Sequence, residues 1–221
     1  SQFTIIEDQF SLLLPTPDWR MVHPYYTDEN MSDLLNTSLD GNFTAYWWNV
    51  ESQAYEIINN SDYTTQQGRS VWVMNMNQDD ELILSGNQPD EADYNYLPTY
   101  VDQIPGWAML GSSARPVVKD SIVVRLIHDP DPQVFYSWAE AVENGVVQDA
   151  IYSYLPGNNE YEMIDQLNMT DGFWVGITHD DTTTAHSIEF NFPAHYLDMG
   201  GNRNSRDESF DWGITLNQLA V

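Results

Sequence analysis

The chain has 221 residues, with 34 Asp plus Glu against 7 Lys plus Arg, and a formal charge of −27. That balance excludes the basic patch that nucleic acid phosphates or an anionic membrane surface require. The absence of cysteine excludes disulfide scaffolds, thiol catalysis, iron–sulfur clusters and cysteine-ligated zinc. Aromatic residues make up 13%, which is too rich for an acidic disordered chain. No apolar run approaches the roughly 18 residues of a membrane span.

In chain order, the first expected element is a strand at Phe3-Thr4-Ile5-Ile6, followed by a strand start at Asp18-Trp19-Arg20-Met21-Val22. A short helix is expected through Met31, Leu34 and Leu35, beginning near Asp28. Tyr46-Trp47-Trp48 then leads to Tyr55-Glu56-Ile57-Ile58, and a turn at Gly68 leads to Ser70-Val71-Trp72-Val73. The second half repeats these landmarks in the same order. Gly106-Trp107 matches Asp18-Trp19, Tyr152-Ser153-Tyr154 leads to Tyr161-Glu162-Met163-Ile164, and Asp171-Gly172-Phe173-Trp174-Val175 closes the unit. Three landmarks in one order point to a duplication. The offset between copies rises from 88 at the first landmark to 106 and 102 at the later ones, which places an insertion in the second copy, including 131–147.

Inside that insertion a helix is expected at 132–143. Asp131 caps it, Pro132 sits in its first turn, Phe135, Trp138 and Val142 recur at helical spacing, and Asn144-Gly145 stops it. Alternation puts Phe173, Val175 and Ile177 on one strand face, Ile188, Phe190 and Phe192 on another, and Phe210, Trp212, Ile214 and Leu216 on a third. The expected fold is all-β: two β-sandwich-like repeats with minor helix and terminal strands outside the repeat. Residues 1–95 form the first repeat with its N-terminal strand, 96–197 the second, and 198–221 a polar loop and C-terminal strand.

The order Gly-Trp, hydrophobic strand, paired aromatics and Gly-x-aromatic-Trp-Val resembles the β repeats of large secreted bacterial surface proteins of the Bacteroidetes type, often exported by the type IX pathway. The resemblance covers roughly residues 10–85 and 98–192. It departs from the usual pattern at Asp18-Trp19-Arg20, where Gly-Trp-Asn is common. It implies an extracellular β module and no catalytic residues. The expected function is therefore a non-enzymatic structural or adhesive part of a surface layer, fibre or large secreted protein. A carbohydrate-binding module is the alternative, and a glycoside hydrolase-like enzyme the further one.

Habitat and sites follow from composition. Acid in excess with one lysine, Lys119, suits high salt, where a Debye length of about 3 Å in molar salt screens carboxylate repulsion. Tyr25, Tyr26, Tyr94, Tyr96 and Tyr100 lie in polar, turn-like sequence, where exposed rings serve either glycans or subunit contacts. Calcium is the expected cofactor wherever oxygen-rich turns close on a metal: Asn75, Asn77, Asp79 and Glu81 at alternate positions, Asp129 with Asp131, and Asp180 with Asp181. Solvated acidic turns are the plainer reading of each. Sequons at Asn30, Asn36, Asn42, Asn59 and Asn168 are candidate glycosylation sites. His179 and His186 meet Asp180 and Asp181 only if a hairpin brings them together, and Leu110-Gly111-Ser112-Ser113-Ala114 reads as a turn. The strands at 2–6 and 210–216 either complete the protein's own sheets or pair with neighbouring copies.

Overall fold

The computed structural model describes residues 9–14, 18–24, 28–76, 80–86, 96–102, 105–111, 116–128, 134–168, 171–179 and 186–193. The first half runs β1 (Gln9–Leu14), β2 (Trp19–Val22), α1 (Met31–Leu39), β3 (Phe43–Asn49), β4 (Ala54–Ile57), β5 (Val71–Asn75) and β6 (Asp80–Ser85). The second opens with β7 (Tyr96–Asp102), β8 (Gly106–Gly111), β9 (Val117–Val118), a 3-10 turn (Lys119–Ser121), β10 (Val123–His128), β11 (Val134–Ser137) and α2 (Trp138–Glu143). It continues with β12 (Val147–Leu155), β13 (Glu160–Ile164), β14 (Gln166–Leu167), β15 (Gly172–Ile177) and β16 (His186–Pro193). The fold is all-β, and every strand pairing is antiparallel.

Two matched four-stranded sheets carry the architecture, and a third four-stranded sheet, β11-β10-β16-β7, lies outside them. Of the matched pair, one has the order β2-β5-β3-β4, the other β8-β15-β12-β13. Taken strand by strand along the chain, these are one order used twice. Outside them, β1 pairs with β6 and β7 pairs with β16, so the strands flanking each matched sheet also correspond. Each helix stands immediately before the long strand of its half, α1 before β3 and α2 before β12. What has no strand counterpart in the first half is β9 to β11, together with β14, which pairs with β9. The extra segment thus spans 117–137 and overlaps the expected 131–147 only in part, because α2 takes the place of α1.

The helix expected at 132–143 is shorter than its periodicity suggests. Residues 134–137 pair with β10, Val134 opposite Leu126 and Ser137 opposite Val123. Sheet pairing outcompetes helix there because Ser137 makes a full capping box one turn later. Its hydroxyl accepts from the Glu140 backbone N–H at 3.3 Å, and the Glu140 carboxylate accepts from the Ser137 N–H at 2.8 Å. Those bonds hold the Glu140 carboxyl below its ordinary range. Phe135 consequently stays exposed, its ring under the Arg125 guanidinium at 5.3 Å, while Trp138 and Ala141 turn inward. At α1, Asn30 rather than the Asp28 region is the N-cap, its side chain accepting from the Asp33 N–H.

Each of the two matched sheets buries one face against its own outer layer. In the first half Phe43, Ala45, Val71 and Val73 pack on Leu35 and Leu39 of α1 and on Leu82 and Leu84 of β6. In the second, Leu110, Phe173 and Val175 meet Trp138 of α2 and the expected face Ile188, Phe190 and Phe192. Where β4 stops short of the end of β3, Asn59 continues the pairing with its side chain. Its Oδ1 accepts from the Ala45 N–H at 3.0 Å, and its Nδ2 donates to the Phe43 carbonyl at 2.9 Å. Asn59→Ala leaves both backbone groups without that partner, so urea denaturation should show a loss of about 1–3 kcal/mol. A loss under about 0.5 kcal/mol would mean that water replaces the amide.

The few cations work inside this frame. Lys119 Nζ stands 3.2 Å from Asp149 and 3.3 Å from Asp165, tying the 3-10 turn to β12 and to the turn after β13. Burial alone would lower its pKa, but the hydrogen bonds from both carboxylates outweigh that and raise it. Arg20 pairs with Asp171 across the two halves, and Arg125 with the buried Glu189.

Candidate functional site

The other face of each of the two matched four-stranded sheets is aromatic. Alternation along the first sheet puts Trp19 and Met21, Tyr46 and Trp48, Tyr55 and Ile57, and Trp72 on one side, with Met21 and Tyr46 both opposite Trp72. The second sheet presents Trp107 and Met109, Tyr152 and Tyr154, Tyr161 and Met163, and Trp174, with Met109 and Tyr152 both opposite Trp174. The two aromatic faces meet. Met21, Trp72, Met109 and Trp174 form a small buried core between them, with Trp19, Tyr46, Trp48, Tyr152 and Tyr154 packed round it.

The contacts across this junction run both ways. Trp48 stands edge-on to Trp174 at 5.1 Å, and its counterpart Tyr154 stands edge-on to Trp72 at 5.0 Å. Tyr55 meets Trp174 at 6.3 Å, and Tyr161 meets Trp72 at 6.4 Å. Backbone bridges repeat the pattern: Val22 pairs with Asp171, and Leu110 with Arg69. The halves are arranged as around an approximate twofold axis.

Matched positions become neighbours at such an axis, and two large side chains cannot both fit. His23 and Gly111 are one such pair: a Cβ at Gly111 would overlap the His23 side chain. Ser70 and Gly172 are another, with the Ser70 hydroxyl donating to the Leu110 carbonyl at 2.6 Å. His23 is fully buried, and its Nε2 accepts from the Gly68 N–H at 3.2 Å, which fixes the neutral tautomer. Burial lowers its pKa to about 3. The unfolded chain, with a His pKa near 6.5, takes up this proton first. Stability is therefore full above about pH 6.5 and falls toward pH 3, by about 1.4 kcal/mol per pH unit from this group. His23→Gln keeps an acceptor for Gly68 and removes the titration. Its stability-versus-pH curve should be flatter than wild type between pH 6 and 4, and parallel curves would rule out His23 as a source.

Two open clefts flank the buried core. One, of about 320 Å³, is lined by Trp19, Tyr46, Tyr55, Trp72, Tyr154 and Tyr161. The other, of about 450 Å³, is lined by Trp48, Tyr55, Trp107, Tyr152, Tyr161 and Trp174. Exchanging each residue for its counterpart in the other half converts one lining into the other. Both volumes fall in the roughly 300–1,000 Å³ range of small-molecule sites. Tyr55 and Tyr161, each about half exposed (49% and 50%), line both clefts and stand at their mouths.

Hydrogen bonds hold the rings. Trp48 Nε1–H donates to the Trp107 carbonyl at 2.7 Å, and Gln53 brackets the same residue, donating to its carbonyl and accepting from its N–H at 2.8 Å. In the first cleft the Tyr154 hydroxyl donates to Asp18 Oδ1 at 3.1 Å, and the other carboxylate oxygen, Oδ2, accepts from the Gly157 N–H. Burial, with Asp18 next, raises the Tyr154 pKa, and burial together with Tyr161 raises that of Tyr55. Both hydroxyls stay neutral at ordinary pH. A third, smaller hollow of about 180 Å³ is lined by polar and apolar groups alike and holds Arg20, Glu162 and Asp171, with Asp171 already paired to Arg20.

Of the tyrosines singled out from sequence, Tyr25, Tyr26 and Tyr94 lie outside the described residues, and Tyr96 and Tyr100 are placed only as backbone positions of β7. Asn77, Asp79, Asp129, Asp131, Asp180 and Asp181 also lie outside them, as do the strands at 2–6 and 210–216. Asn75 is buried on β5, and Glu81 is exposed on β6, where it accepts from the Ser11 hydroxyl. Among the described residues no group of three or more His, Asp or Glu is placed to hold a metal ion. The sequon residues differ: Asn36, Asn42 and Asn168 are exposed, while Asn30 and Asn59 are engaged with backbone. The four tryptophans at the repeat landmarks divide: Trp72 and Trp174 are buried in the core between the sheets, while Trp19 and Trp107 are cleft walls, Trp107 at 37% exposure. The signal for the clefts was the aromatic pair at i and i+2 in β3 and again in β12, which puts both rings on one face.

No protein-family model matches the chain. No curated protein and no solved structure matches it either.

Proposed function

We propose that the protein is a non-enzymatic extracellular module of the structural or adhesive kind, part of a surface layer, fibre or large secreted protein, with the twin aromatic clefts as its contact sites. The observation that carries this reading is the pair of clefts lined, among the described residues, by Trp and Tyr alone and opened on matching sides of one aromatic core. Aromatic side chains bring large contact area at low conformational cost, and rings of this kind are enriched where proteins hold partners. The matched strand order of the halves supports an origin by duplication. The resemblance to secreted bacterial surface repeats supports an extracellular site, and the −27 charge supports a salty one. A carbohydrate-binding role is the second reading, favoured by the half-exposed Tyr55 and Tyr161 rings, on which a sugar face could stack.

The test is retention of the intact chain on cell-surface material and on a panel of polysaccharides, in low and in molar salt, with its oligomeric state followed by light scattering. Binding or assembly is expected to survive molar salt, because stacking is not screened, and to weaken on Trp107→Leu. A chain that stays monomeric and is retained on nothing in either salt would overturn the reading.

A further inference from the structure

We infer that each cleft is a receptor for a small quaternary ammonium cation, a conclusion that rests on the clefts being the protein's binding sites. The lining decides the chemical class. Among the described residues, six aromatic rings and no aliphatic or charged side chain line each space. A wall of π-electron density attracts cations through the ring quadrupoles, most strongly at Trp. A primary ammonium would lose water hydrogen bonds that rings cannot replace, whereas a trimethylated nitrogen has no N–H to satisfy and presents methyl groups to an apolar wall. A sugar needs several directed hydrogen-bond partners, and these walls offer little beyond tyrosine hydroxyls and indole N–H groups.

Charge complementarity selects the same ligand. The chain carries −27, so cations concentrate at its surface at moderate ionic strength. Asp18 adds a local carboxylate at the rim of the first cleft, hydrogen-bonded to the wall residue Tyr154. Its matched position in the second half is Gly106, and there Gln53, a neutral group, holds Trp107. The first cleft is therefore the tighter cation site, and the second is the roomier and weaker one. The acidic surroundings also set a limit on the ligand. A cation bearing its own anion, as phosphocholine or a betaine does, meets repulsion, so the structure favours a free solute of the choline or tetramethylammonium kind over a phosphocholine lipid headgroup.

The experiment is a titration of the intact chain by tryptophan fluorescence and calorimetry at constant ionic strength. The probes are choline, tetramethylammonium, phosphocholine and 3,3-dimethylbutan-1-ol, the uncharged isostere of choline. Two saturable sites are expected for the first two, with the neutral isostere weaker by about tenfold or more. Trp107→Leu should remove one site. Asp18→Asn, which leaves every ring in place, should weaken the other by up to about fivefold and leave the Trp107 site unchanged. Equal binding of choline and its neutral isostere, or an unchanged site count in Trp107→Leu, overturns the inference. If no probe binds while Trp107-dependent retention on surface material persists, the ligand class is wrong and the adhesive reading stands. Loss of both removes both.

Discussion

Replacing Arg125 by alanine is expected to lower stability by about 3–5 kcal/mol, measured by urea denaturation. The reason is the partner it leaves behind. Glu189 is 2% exposed in the centre of β16, and Arg125 lies directly opposite it on β10. One guanidinium nitrogen reaches both carboxylate oxygens, at 3.2 and 3.1 Å, and Asn191 donates to one of them at 2.7 Å. Remove the arginine and a carboxylate remains in a strand whose other buried members are Ile188, Phe190 and Phe192. The paired change Arg125→Met with Glu189→Leu removes the buried charge too, and should return stability to within about 1–2 kcal/mol of wild type. The double-mutant cycle separates the two terms. A single-variant cost below about 1 kcal/mol would show that water reaches the pair.

Gly111→Val is expected to be the other severe change. Gly111 closes β8 against the His23 side chain, and even a Cβ would overlap the ring. The ring has nowhere to go, because Gly68 donates to its Nε2 and it is buried on all sides. Overpacking of this kind costs about 1–3 kcal/mol, and more when the backbone must shift. The clash has a specific remedy. Combining Gly111→Ala with His23→Ala empties the space that the new methyl needs, so the double variant should melt higher than Gly111→Ala alone. Additive losses would mean that the strain lies elsewhere on β8. The same argument holds at Gly172, whose Cβ would meet Ser70 and Met21. Both glycines sit where counterpart positions of the two halves touch, so their identity follows from the axis and not from a turn.

Much of the fold was legible because antiparallel strands announce themselves by alternation. The Ile188, Phe190 and Phe192 face and the Phe173, Val175 and Ile177 face are both buried as read. Alternation could not show that β15 is buried on its other face as well, where Trp174 lies under the first half. The helix at 132–143 was overread for a related reason. Phe135, Trp138 and Val142 keep helical spacing, but β10 offered residues 134–137 a strand partner, and a competing edge is invisible to local periodicity. The clefts were legible only in part. Tyr46 with Trp48 and Tyr152 with Tyr154 stood out as pairs, yet nothing local says that the two pairs face each other.

By itself the sequence determined the class of the fold, the period of its strands, the landmarks that recur in its halves, and a strongly acidic composition. Each of these depends on the composition or on neighbours a few residues apart. Tertiary structure alone decided that the aromatic faces of the two sheets meet about an approximate twofold axis, that Gly111 and Gly172 must be small there, and that ten aromatic residues, two of them shared, make two matching clefts. Those outcomes arise from contacts between residues about a hundred positions apart. Such contacts come from the packing of whole sheets, and local pattern carries no record of them.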